Sequence, residues 1–369
     1  MFEIQGKYTT ARIYADVVEE SAMSQIYAVC NSPAFENSKI VIQPDVHAGA
    51  GCVIGFTAIM KDKITPNLLG VDISCGMLTV ELGNINVDYS ILDDYIKKYI
   101  PHGFGINSKM DADVPPVLVQ RVGDVCDRLS LDADYMLKSI GSLGSGNHFC
   151  EVNVGSDGRK YLVIHSGSRN FGKRICDYYQ DIAIKHCDGK GVERALSYLE
   201  GADKDAYLHD MRVASQFAMI SREIMADRIL QSLGTEIGEV ASFETVHNYY
   251  DTATNIVRKG AIAAYSGQKV LIPMNMRDGS ILAVGKGNAE ANYSAPHGAG
   301  RLMSRGNAKR TFSMAEFIKE MGGVYSTSVR EDTLDESPMA YKKMEDIIGA
   351  IGDMVDIVDV LKPLYNFKS

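Results

Sequence analysis

The stretch "YLVIHSGS", Tyr161–Ser168, sets the pattern on which the fold is read. A run of apolar, β-favouring residues reaches a histidine, and the chain then turns through Ser-Gly-Ser. A doubly wound nucleotide fold would follow such a strand with GxGxxG, and no strand-like run here does so. The same arrangement recurs in "SKIVIQPDVH", "CVIGFTAIM", "MLTVEL", "KVLIP" and "SILAV", each ending in a glycine-rich or polar turn. Helical patterns lie between them. Ala206 to Leu233 is amphipathic, with Met211, Ala214, Ala218, Met225 and Ile229 on one side. A second helix is predicted from Tyr341 to Leu361, stopped by Pro363. Strands and helices interleave irregularly, without repeats or a linker, which predicts a mixed α+β fold in a single domain spanning 1–369.

Bulk properties narrow the class. The 369 residues are 46% hydrophobic and 23% charged, the profile of a globular protein with ample core. No apolar run is long enough to span a membrane, and the N-terminus lacks a basic-then-apolar signal, so a cytoplasmic protein without a membrane partner is expected. The seven cysteines form no CxxC pair, which argues against a disulfide framework or zinc ribbon and predicts mostly buried thiols. Net charge is −9, yet Gly158–Cys176, Thr252–Arg277 and Ala291–Ala315 contain Lys and Arg and no acid. Three such windows predict a segregated positive surface for a phosphate-rich ligand; randomly signed solvated faces are the plain alternative. The segment Glu331–Asp359 is the acidic counterpart.

Chemistry-bearing residues collect in the turns. "GVDISCG" sets Asp72 and Cys75 three apart between glycines, where a bend could aim both at one point. His148, His165 and His247 each end an apolar run or sit in a turn beside one. One carboxylate, one thiolate and three imidazoles suffice for two metal ions if the thiolate bridges them, and ligand softness alone points to zinc. Taken singly, each histidine is equally readable as a satisfied core or turn side chain. The chain has no GxxxxGK[ST] and no KxDG, so any nucleotide transfer needs a nucleophile other than lysine. His297, in the acid-free turn "APHGAGR", offers a neutral imidazole beside Arg301, which could hold a triphosphate.

In combination, "PDVHAGAGCVIG", "GVDISCGM", "SLGSGNHFCEV", "IHSGSRNFG", "VHNYY", "HGAGR" and "DESPMAYK" resemble the RtcB family over essentially the whole chain. These are GTP- and manganese-dependent RNA ligases of mixed α/β architecture. They join a 3′-phosphate or 2′,3′-cyclic phosphate end to a 5′-hydroxyl end. The resemblance implies two Mn2+ ions on Asp72, Cys75, His148, His165 and His247, with Cys75 shared, and His297 as the residue that accepts GMP from GTP. It further implies Asn147 on the phosphates and Phe149 and Glu151 on the guanosine. Ser280, Tyr341 and Lys368 match nucleotide-pocket positions, and Arg169 and Arg301 would hold RNA or GMP phosphate. The segment "IPMNMRDGS" departs from the family, placing Arg277 and Asp278 where small residues are usual. The short branch that this chain resembles points to RNA repair or tRNA splicing, with an activating or repair partner protein. A metal-dependent cyclic phosphodiesterase that does not ligate is the rival, and it needs neither His297 nor Glu151.

Overall fold

The computed structural model describes residues 1–70 and 72–369, and among them it shows an α+β fold built on two large sheets. The first sheet has six strands in the spatial order Phe2–Gln5, Thr10–Ile13, Ile40–His47, Ile54–Ile59, Ile256–Lys259 and Asn248–Asp251. Only the pairing of Thr10–Ile13 with Ile40–His47 is parallel. The second sheet is antiparallel throughout and runs Ser242–Val246, Gly76–Gly83, Lys160–Ser166, Phe149–Val154, Val355–Lys368, Gly279–Gly285, Lys269–Asn275. All six strand-like runs read from the sequence are strands here.

The helix Gly201–Ser232 links two cores, because its apolar residues are spread along its whole length. Tyr207, Met211, Ala214 and Phe217 enter one cluster, with Phe35, Phe56 and Phe171, while Met225, Ile229 and Leu230 enter another, with Val80, Val152 and Ile164. Each fully buried Ile or Phe of this kind stabilises by about 1.5–3 kcal/mol. Among the described residues, no helix is long and apolar enough to cross a membrane.

The second predicted helix is corrected. Only Met344–Ala350 is helical, and Val355–Lys368 is a strand of 14 residues. Gly349 and Gly352 weaken the helix, and the β-branched run "VDIVDV" favours a strand. Pro363 does not end that strand, because it lies where the register shifts between Pro363 and Tyr365, a bulge that tolerates a residue without an N–H.

Register places the chemistry. Gly76 lies opposite both Ser166 and Val246, and Phe149 lies opposite His165. Cys75, His148, His165 and His247 are therefore brought to one end of four adjoining strands. Gly76 is required there, since a Cβ would come within 2.7 Å of the Thr245 carbonyl and 2.9 Å of the Val246 backbone.

Candidate functional site

Asp72 and Cys75 converge because Ser74, between them, takes a left-handed conformation with φ 55°. The bend is held from outside. Ser74 N donates to Asn248 O at 2.7 Å, and Asn248 Nδ2 donates to Asp72 O at 3.2 Å. The fully buried Arg222 donates to the carbonyls of Ser74 and Ser166 at 3.0 and 2.8 Å, and it is held by both Glu244 oxygens. Nothing in the spacing of Arg222 or Glu244 marks them in the sequence, since both stand in ordinary amphipathic patterns.

Two ligand groups share one sulfur: Cys75 with His165 and His247, and Cys75 with Asp72 and His148. Cys75 Sγ lies 3.2 Å from His165 Nε2 and 3.5 Å from His148 Nε2. His165 Nε2 is 3.5 Å from His247 Nε2, and His148 Nε2 is 3.0 Å from Asp72 Oδ2. His148 donates Nδ1–H to Leu143 O and His165 donates Nδ1–H to Asn147 O, which leaves both Nε2 atoms with bare lone pairs. Lone pairs of nitrogen, oxygen and sulfur thus face one another at close range in a buried space, an arrangement that a cation relieves. Burial, with His148 as the next cause, pushes the His165 pKa well down, and burial with His297 does the same to His247, so both imidazoles stay neutral. Burial and then Asp72 push the Cys75 thiol well up, so a cation would have to displace its proton. The Asp72 carboxylate faces His148 through Oδ2. Its Oδ1 accepts from Ser168 N at 3.0 Å, over a glycine whose added Cβ would lie 2.1 Å from that oxygen.

His297 follows the short strand Ser294–Pro296. Its surroundings correct the acid-free reading of its turn. Asp45, fully buried in the strand Ile40–His47, accepts from His297 Nδ1 at 2.7 Å and from His297 N at 3.2 Å through the same oxygen. The acid is 252 residues away in sequence, so a local window cannot find it. The turn's glycines serve this approach: Gly300 has φ +75°, and a Cβ there would lie 2.3 Å from the Asp45 carbonyl. The His297 ring lies 4.9 Å from the His247 ring, centroid to centroid, beside the ligand groups.

Asp72, Cys75, His165, His247 and His297 line a cavity of about 640 Å³ whose wall also includes Asn147, Phe149, Glu151, Arg301, Tyr341 and Lys368. Burial raises the Glu151 carboxyl to about 7, against the opposing pull of Asn366, Asn153 and Lys368. Asn366 Nδ2 donates to Glu151 at 2.6 Å, and the Lys368 ammonium sits 5.8 Å from the Phe149 ring centroid. Lys368 is paired with the buried Glu336, which also accepts from Tyr341 OH at 2.8 Å. Burial opposes the Glu336 charge, but Lys368 and Arg305 hold its carboxyl down to about 2. Arg301 lies over the Tyr341 ring at 5.1 Å and donates to Asp335 O at 2.7 Å.

Three named residues stand off the cavity wall, and His148 is one of them. Ser280 is fully buried behind Gly279, with no hydrogen-bond partner for its hydroxyl among the described residues. Arg169 lies on the far side of His148 and donates to Gly103 O at 2.9 Å and to Ser142 Oγ at 3.3 Å. Gly144 makes room for it, since a Cβ there would fall 1.5 Å from its Nη1. In the departing segment, Arg277 pairs with Asp278 and Glu320, so its charge is met within the fold.

The family model for the tRNA-splicing ligase RtcB matches residues 25–130 and 129–369. An RNA-splicing ligase RtcB of Escherichia coli K12 is 32% identical over 396 residues, covering 95% of each chain. The RNA-splicing ligase RtcB1 of Escherichia coli ATCC 25922 is 31% identical with the same coverage. A tRNA-splicing ligase RtcB of Nanoarchaeum equitans is 25% identical, covering 92% of this chain and 90% of its own. With matches of this extent, and a cavity that gathers the residues carrying the resemblance, the chain belongs to the RtcB family of RNA- and tRNA-splicing ligases.

Proposed function

We propose that the chain, read as one ligase domain over 1–369, is a GTP- and manganese-dependent RNA ligase. It joins a 3′-phosphate or 2′,3′-cyclic phosphate end to a 5′-hydroxyl end, in RNA repair or tRNA splicing. The observation that carries this reading is His297, held on a buried carboxylate beside two ligand groups that share Cys75. A phosphodiesterase needs the ligand groups but has no use for such an imidazole.

The chemical obstacle is that a 3′-phosphate has no good leaving group. In this reading His297 Nε2 attacks the α-phosphorus of GTP, the N–P bond forms, and pyrophosphate leaves. Asp45 holds Nδ1–H, fixes the tautomer that bares Nε2, and stabilises the positive charge that the ring acquires. The RNA 3′-phosphate then takes GMP from His297, and the 5′-hydroxyl displaces GMP from the resulting anhydride. A cyclic phosphate is first opened by water. Asp72, Cys75, His148, His165 and His247 would hold two Mn2+ ions, which when bound neutralise phosphate charge and acidify water or hydroxyl. Glu151 accepts from the N1–H and 2-amine edge of guanine, Phe149 packs on the base, and Lys368 and Tyr341 border the same space. Asn147, Arg301 and Arg169 serve phosphates, with Ser280 behind the nucleotide wall.

Two labelled oligonucleotides test this, one with a 3′-phosphate and one with a 5′-hydroxyl, incubated with manganese and either GTP or ATP. A joined product with GTP alone is expected. Joining that proceeds equally with ATP, or none from either end chemistry, contradicts the reading.

A further inference from the structure

Three of the site's imidazoles share one mounting, and His247, whose Nδ1 has no hydrogen-bond partner among the described residues, does not. His148 and His165 donate Nδ1–H to backbone carbonyls, and His297 donates it to Asp45, so that Nε2 is the unprotonated nitrogen of each. His47 is mounted the same way. Its Nδ1 donates to the Asp45 carbonyl at 2.9 Å, it lines the same cavity, and its Nε2 has no hydrogen-bond partner among the described residues. It belongs to neither ligand group. Asp45 therefore carries two imidazoles, His297 on its carboxylate and His47 on its carbonyl.

The segment that presents His47 is held firmly. Lys342 Nζ donates to the carbonyls of Pro44 and Val46, both at 3.0 Å. Ala48 N donates to Glu19 at 2.7 Å, and Gln25 bonds both the N–H and the carbonyl of Gly49. Among these neighbours, Asp45, His297, Lys342 and Glu19 are the titratable groups. A carbonyl can only accept, so Nδ1 carries the ring proton and Nε2 presents a lone pair. Burial holds the ring below the usual histidine range and so keeps it neutral. A lone pair gains nothing from a phosphate oxygen, but it can take a hydroxyl proton.

Resting on the ligase reading above, we propose that His47 is the general base of the sealing step. Its Nε2 takes the proton of the RNA 5′-hydroxyl as that oxygen attacks the activated 3′-phosphorus. The O5′–P bond forms, the P–O bond to GMP breaks, and GMP leaves with the electron pair. The proton rests on His47 until solvent removes it.

The test resolves the steps in single turnover for native protein, His47→Ala and His47→Gln, with GTP, manganese and 3′-phosphate or cyclic-phosphate RNA. Both variants are expected to form the GMP adduct and the guanylylated 3′-end at native yield. Sealing should then slow by about 10²-fold or more, equally for both RNA ends. Added imidazole should restore sealing in His47→Ala, a rescue that a purely structural role would not give. Loss of the adduct in both variants, native sealing rates, or a defect confined to cyclic-phosphate RNA would each overturn the proposal. Failure of native protein to form any adduct overturns instead the ligase reading on which it rests.

Discussion

The site works through single atoms, and the pair of Asp45 and His297 shows it best. The carboxylate fixes which ring nitrogen is bare, so Asp45→Asn, whose amide can donate to Nδ1 instead, would put the proton on Nε2. The rate of GMP-adduct formation should fall by about 10²–10⁴-fold with folding intact, measured by quenched-flow labelling with GTP. Cys75 is the other atom on which much turns, because both ligand groups use its sulfur. Cys75→Ala should lose most bound manganese in equilibrium dialysis, whereas Cys126→Ala, buried in a hydrophobic cluster and in neither candidate ligand group, should keep it. Equal losses in the two variants would remove Cys75 from the metal site.

At the scale of elements, the sequence was legible wherever period and turn chemistry agreed. The strand "YLVIHSGS" and the helix Gly201–Ser232 carry their own signals. The C-terminal strand does not, since its proline looks like a stop until the bulge is seen. The candidate ligand residues were visible because each stands at a strand end or in a turn beside one, but their meeting depends on cross-strand register. Asp45 and Arg222 were not singled out, because what marks them is a long-range contact, and His47 was not because its place on the cavity wall depends on the fold. The C-terminal strand also carries partners of two buried carboxylates with opposite pH signatures. Glu151 is raised to about 7 from an ordinary 4.5, so it binds a proton more tightly folded than unfolded. It opposes folding increasingly as pH rises from 4.5 to about 7. Glu151→Gln should therefore stabilise the metal-free protein at pH 8 by up to about 3 kcal/mol, with little effect at pH 4, in urea titrations. Glu336 is held down to about 2, so its contribution is present above 4.5 and lost as pH falls toward 2. Glu336→Gln leaves the buried Lys368 ammonium without its partner and should cost about 3–5 kcal/mol near neutral pH.

For the whole molecule, charge distribution differs from what the acid-free windows suggest. Arg258 and Lys259 are buried and donate to groups inside the fold. Arg301, Arg305 and Lys309 meet Asp335 or Glu336, and Lys173 meets Asp177. The windows are acid-free in sequence because their acids arrive from elsewhere in the fold. With net charge −9 and so few uncommitted cations, single-stranded RNA should bind through only a few phosphates. A plot of log K against log salt should have a slope no steeper than about −3, as for some four contacts. The central claim is that this cavity exists to carry GMP on His297. Intact mass spectrometry after incubation with GTP and manganese tests it most directly. The native chain should gain one guanylyl unit that acid removes and base does not, and His297→Ala should gain none. An unmodified native chain, or an adduct of equal yield in His297→Ala, would contradict the account.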